Sequence, residues 1–170
     1  MAELIAYFSR AGENYFGGAL RKIQTGNTQI AAEMLQKITG AELFRIEPVL
    51  EYAEGYNECI AQAQDDQKRD ARPELKEYPD SLDAYDTVYL GYPNYWGTMP
   101  MPVFTFLEHF DFSGKVIRPF CTHEGSGMGR SEADIRRICP DAVVKKGLAV
   151  RGSAVKDAEE ELRKWSSGQE

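Results

Sequence analysis

The sequence has no apolar run approaching the ~20 residues that cross a bilayer. Its opening "MAELIAYFS" puts an acid where a secretory signal needs basic residues, ahead of an apolar stretch too short for a signal core. Both absences point to a cytoplasmic protein without a membrane partner. Cysteine is scarce: Cys59, Cys121 and Cys139 lie far apart, are odd in number and form no CxxC pair. That argues against a zinc site or a dithiol motif and leaves three core thiols, so any redox chemistry must come from a cofactor. Basic residues are in deficit, 20 Lys and Arg against 27 Asp and Glu for a net charge of −7. A chain short of clustered cations is a poor nucleic-acid binder. The P-loop GxxxxGK[ST] and the dinucleotide signature GxGxxG are also missing.

What is present is 170 residues, 42% hydrophobic and 28% charged, the make-up of a single domain over residues 1–170. Strand-like runs alternate with helix-like ones: "LIAYF" (Leu4 to Phe8), "AELFRIEP" (Ala41 to Pro48), "TVYLGYP" (Thr87 to Pro93), "KVIRPFC" (Lys115 to Cys121) and "AVVKKGLAV" (Ala142 to Val150). Between them Ile30, Met34 and Ile38 mark one face of a helix starting near Asn27, and Glu54 to Ala71 reads as a polar helix stopped by Pro73. Pro102 to Phe110 starts with proline at a first helical position, and Ser131 to Cys139 starts with a candidate serine cap. A last helix aligns Val155, Ala158, Leu162 and Trp165. The alternation predicts an α/β fold: a five-stranded parallel sheet covered by helices on both faces in a three-layer sandwich.

In such a sheet ligands bind beyond the carboxyl ends of the strands, where strand order reverses. The loops leaving the first, third and fourth strands are all unusual. The first carries Ser9 and, after a glycine-punctuated detour, Thr25, Gly26, Asn27 and Thr28 at a helix start. Hydroxyls and unpaired amides at a helix N-terminus can cradle a phosphate, although Thr25 or Asn27 would equally serve as a plain cap. The second, "YPNYWGTMPMP", sets Tyr95 and Trp96 beside Pro93, Asn94 and Gly97, either as a shelf for a flat ring or as a plug under the loop. The third, "CTHEGSGMGRS", offers Thr122, His123, Glu124, Gly125, Ser126 and Gly127, whose glycines let backbone approach a ligand. Glu124 stands where a GxSxG nucleophile elbow needs glycine, so a serine hydrolase is disfavoured. No catalytic side chain and no metal cluster stands out.

Together these loops resemble the flavodoxin-like FMN-binding family, with the phosphate motif [ST]-x-T-G-x-T split into Ser9 and Arg10 on one side and "TGNT" (Thr25 to Thr28) on the other. The resemblance covers Leu4 to about Trp165 and implies a sheet of order 2-1-3-4-5. It makes Ala11 to Gln24 an insertion within one anion site, able to bring Arg10 or Lys22 to the phosphate. It implies FMN as cofactor, with Ser9, Arg10, Thr25, Asn27 and Thr28 at the phosphate, Pro93 to Gly97 beside the isoalloxazine and Thr122 to Gly127 at its pyrimidine edge. Gly97 would turn its carbonyl toward the reduced ring. The implied activity is one-electron transfer between partner proteins; the alternative is an NAD(P)H-dependent FMN reductase of quinones or similar small acceptors. A phospho-acceptor receiver of the same fold would need acids where Ser9 and Pro93 stand.

Overall fold

In a computed structural model describing residues 2–168, the first strand alternates sides completely. Leu4, Ala6 and Phe8 enter one apolar cluster, while Ile5 and Tyr7 enter a second on the other face. A strand buried on both faces reads as a nearly continuous apolar run, which is why "LIAYF" shows no polar alternation. This strand, β1 (Ala2–Tyr7), is followed by an antiparallel pair, β2 (Gly12–Phe16) and β3 (Ala19–Ile23), and then by helix α1 (Asn27–Thr39). The chain continues through β4 (Glu42–Arg45), α2 (Tyr56–Lys68), β5 (Tyr85–Pro93), α3 (Met101–His109), β6 (Val116–His123) and α4 (Ser131–Ile138). It ends with β7 (Val143–Val144), β8 (Leu148–Arg151), a 3-10 turn over Gly152–Asp157 and α5 (Glu159–Ser166).

The main sheet runs β4-β1-β5-β6, and β7 and β8 both pair with β6; all of these pairings are parallel. Counted over the five expected strands this is the order 2-1-3-4-5. On one face Val88, Leu90, Tyr92, Ile117 and Cys121 pack with Val103, Phe106, Leu107 and Ile135 from α3 and α4. On the other, Tyr89, Phe120 and Val150 pack with Ala31, Ala32 and Leu35 of α1 and Leu162 and Trp165 of α5. Each fully buried aliphatic or aromatic side chain contributes about 1.5–3 kcal/mol relative to exposure. One close approach in this core requires glycine: a Cβ on Gly91 would stand 2.3 Å from the Phe120 ring.

Three expectations are corrected. The fifth strand is two pieces, because Ile117 accepts the Lys145 N–H on this edge and residue 119, two further along β6, faces the same way. Residue 119 is proline and has no N–H to offer, so the edge chain leaves the ladder between Val144 and Leu148. The last helix begins as the 3-10 turn, although Val155, Ala158, Leu162 and Trp165 are all buried as expected. Ser131 does not cap α4: Arg130 holds that position, and the buried Ser131 hydroxyl donates to the Met128 carbonyl and accepts from Tyr92.

Candidate functional site

The carboxyl ends of β1, β5 and β6 open into a cleft of about 430 Å³, inside the range of roughly 300–1,000 Å³ that holds small-molecule ligands. Its floor reunites the two halves of the first loop. Ser9 Oγ, buried at the end of β1, accepts the Gln29 N–H at 3.0 Å and so caps α1 from outside the helix. Neither Thr25 nor Asn27 makes that cap; the cap position is Gly26, with extended backbone. Gly26 is required by space, since a Cβ there would lie 2.1 Å from Ser9 Oγ and 2.8 Å from the Arg10 carbonyl oxygen. Among the described residues no acceptor meets the Asn27 and Thr28 amides. They sit at the positive end of the helix dipole, the usual seat of an anion. The buried Thr28 and Thr122 hydroxyls bond to each other at 2.7 Å across the floor, and Asn27 Oδ1 is buried without a partner.

Arg10 and Lys22, the two cations expected at the phosphate, are both engaged elsewhere. The Arg10 guanidinium donates to the carbonyls of Glu13, Ala53 and Glu54, and Lys22 pairs with Glu54 at 3.8 Å. Thr25 lies outside the cleft, in a separate hollow beside Phe16, Ile23 and Met34.

The second loop divides its two aromatics. Tyr95 is half-buried and both lines the cleft and plugs the core beneath it. Its ring meets Phe8 and Tyr52 edge-on at 5.8 and 6.1 Å, and burial pushes its hydroxyl well above the usual tyrosine range. Trp96 lines the cleft with 44% of its surface exposed, its indole N–H donating to the Ile60 carbonyl at 2.8 Å. Its backbone sits at φ +54°, a left-handed conformation that is costly for a bulky residue and is typical of functional loops. Gly97 does not present a free carbonyl: that oxygen accepts the Arg130 N–H at 2.7 Å, and the Gly97 N–H donates to Asn94 Oδ1 at 2.9 Å. Turning the Gly97–Thr98 peptide toward a ligand would break the bond from Arg130 and the bond that the Thr98 N–H donates to the Tyr95 carbonyl at 3.3 Å.

The third loop is tied to the second by Asn94 Nδ2 donating to the Gly127 carbonyl at 2.8 Å. Thr122, His123, Glu124 and Ser126 line the cleft, whereas Gly125 and Gly127 supply the turn behind them. The Gly125 N–H donates to His123 Nδ1 at 2.8 Å. Burial, with the Arg151 charge adding to it, lowers the His123 pKa below the usual histidine value, keeping the ring neutral. Glu124 accepts from Ser153 at 3.1 Å and pairs with Arg151 at 3.7 Å.

Five lining residues come from elsewhere: Asn14 and Tyr15 from β2, and Tyr56, Ile60 and Ala63 from α2. The last three stand at helical spacing, a stripe the sequence shows plainly once its helix is known to face the site.

A family model described as Flavodoxin matches residues 3–168. The chain belongs to the flavodoxin family. A search of curated proteins returns no match. Among solved structures, a candidate flavoprotein from Bacteroides eggerthii is 27% identical over 95% of this chain and 97% of its own, with a TM-score of 0.72. A second, from Bacteroides uniformis, is 26% identical over 98% and 97%, with a TM-score of 0.74. A Lactobacillus acidophilus flavoprotein in complex with FMN is 20% identical over 92% and 97%; its TM-score of 0.65 speaks to the fold shared with this flavodoxin-family chain.

Proposed function

We propose that the cleft binds FMN and that the protein is a flavodoxin-like redox protein passing electrons one at a time between protein partners. The observation that carries the reading is the pairing of an uncharged anion cradle with an aromatic wall in one cleft. The cradle is Gly26, the unpaired Asn27 and Thr28 amides and the Ser9 cap; the wall is Tyr95 and Trp96. The residues fit the group in a second respect, because Asn27 Oδ1 is an orphaned buried acceptor that a ribityl hydroxyl would satisfy. The likeness to a flavoprotein solved with FMN supports the same reading.

Bound FMN supplies the electron chemistry. The chain's share is to hold and orient it. The α1 amides and the Thr28 hydroxyl would receive the phosphate without a countercharge, Trp96 and Tyr95 would lie beside the ring, and His123, whose Nδ1 accepts the Gly125 N–H, would offer its Nε2–H as a donor in the pyrimidine wall. With Arg10 committed to backbone carbonyls and the protein carrying net charge −7, added negative charge on the ring is disfavoured, which lowers the potential of the second reduction.

The test is the visible spectrum after FMN addition and desalting, followed by stepwise anaerobic reduction. Retained yellow colour with two separated one-electron steps is expected. Retained FMN that takes two electrons together and is bleached rapidly by NADPH would instead favour the NAD(P)H-dependent reductase of small acceptors, and loss of the colour on desalting would overturn the cofactor reading. In Gly26→Ala, which drives a Cβ into Ser9 Oγ and the Arg10 carbonyl, FMN affinity falls at least about tenfold by fluorescence titration, as a displaced cradle costs 1.4 kcal/mol or more.

A further inference from the structure

The insertion between the two halves of the anion site is an ordered hairpin laid across the mouth of the cleft and fastened on both sides. Gly17 and Gly18, at φ +64° and +93°, make the tight turn that only glycine adopts freely. On the α2 side Glu13 Oε1 accepts the Tyr56 N–H at 2.8 Å, and Arg10 ties the carbonyls of Glu13, Ala53 and Glu54 together. On the β6 side the Gly17 N–H reaches Glu124 Oε1 at 3.4 Å. Between these fastenings Asn14 and Tyr15 line the cleft. The Tyr15 ring stands 6.3 Å from that of Tyr56 with the planes 40° apart, yet 44% of Tyr15 is exposed. Tyr15 thus stands beside Tyr56 in the wall of a cleft that Tyr95 and Trp96 also line, with much of its surface uncovered by protein.

Resting on the FMN reading, we propose that Tyr15 covers the outer face of the bound flavin ring and thereby decides which donors reach it. Hydride transfer moves two electrons and a proton together from a nicotinamide carbon to the flavin, so the two rings must lie in contact. A single electron from a docked protein needs no such contact. A tyrosine held over the ring keeps the nicotinamide out and leaves the one-electron route open. The hairpin is then the element that makes this cleft a carrier's site and not a reductase's.

The experiment uses the full chain loaded with FMN, as wild type, Tyr15→Ala and Tyr15→Phe. In wild type and Tyr15→Phe, NADPH bleaches bound FMN slowly while dithionite bleaches it at once. In Tyr15→Ala, NADPH bleaching and FMN release by dilution each rise about tenfold, the scale of one lost aromatic contact. Hydrogen exchange on wild type gives an independent reading: FMN loading slows the amides of Gly12 to Ile23 at least about tenfold if the hairpin closes on the ring. Unchanged bleaching and release in Tyr15→Ala, or hairpin amides indifferent to FMN, overturns the proposal. So does a Tyr15→Phe that behaves like Tyr15→Ala, because the ring and not the hydroxyl is the cover. Wild type that fails to retain FMN refutes the flavin reading itself, a result distinct from all of these.

Discussion

The floor of the cleft and the hairpin above it are held by different forces. On the floor Ser9, Thr28 and Thr122 are buried and bonded to each other or to α1, over a core in which Phe8, Tyr92 and Phe120 are nearly or wholly sealed from solvent. In the hairpin, Lys22 and Glu54 pair with 77% and 73% of their side chains exposed, and the Gly17 to Glu124 bond lies at the surface. Burial makes the floor costly to alter and therefore rigid. Exposure makes the hairpin cheap to move, as suits an element that must let a ligand in.

That contrast can be broken from its strongest side first. Gly91→Ala places a Cβ 2.3 Å from the Phe120 ring, and overpacking of this severity costs about 3 kcal/mol or more, read as a lower urea midpoint. Next, Thr28→Val leaves the Thr122 hydroxyl buried without its partner, a loss of about 1–3 kcal/mol. Adding Thr122→Val should recover part of it, and a double variant no better than the sum of the singles would show that the hydroxyl pair is not a unit.

A smaller effect comes through pH. The folded His123 pKa lies below its unfolded value, so the unfolded chain takes up the proton first and folding pays nothing for this group at neutral pH. Stability declines as pH falls through about 6.5 and goes on declining until the folded ring protonates. His123→Gln should flatten that part of the profile relative to wild type, with Arg151 and Glu124, the charges facing the ring, left in place. At the weak end, Lys22→Ala should change stability by less than about 1 kcal/mol, and the difference should vanish in high salt. A salt-independent loss above that would mean the hairpin is fastened more firmly than its exposed ion pair implies.

The parallel sheet was legible because β1, β5 and β6 are buried on both faces and their apolar runs have no other reading. The three loops followed from the strand ends, and with them Ser9, Asn27, Thr28, Tyr95, Trp96 and Thr122. The hairpin hid because β3 is exposed and shows no apolar alternation; its one signal, Gly17-Gly18 between Tyr-Phe and Ala-Leu, is the two-glycine turn that joins paired strands. Tyr56, Ile60 and Ala63 hid inside a helix dominated by polar residues. The roles of Arg10 and Gly97 were out of reach altogether, because what occupies the guanidinium and the carbonyl comes from Ala53, Glu54 and Arg130, distant in the chain and joined only by folding.

The interruption opposite Pro119 also bears on how the chain behaves in a crowd. A sheet edge with a long row of free backbone groups recruits the next chain that passes and starts an aggregate. Here the β6 side ends in a two-residue strand and a four-residue one, separated by exposed Lys145 and Lys146, and the Lys146 carbonyl is already taken by the Trp165 indole at 3.0 Å. The opposite edge, β4, is only four residues long. Neither border offers a stranger enough length to dock, so the proline that cost the fold a continuous fifth strand leaves it a blunt perimeter.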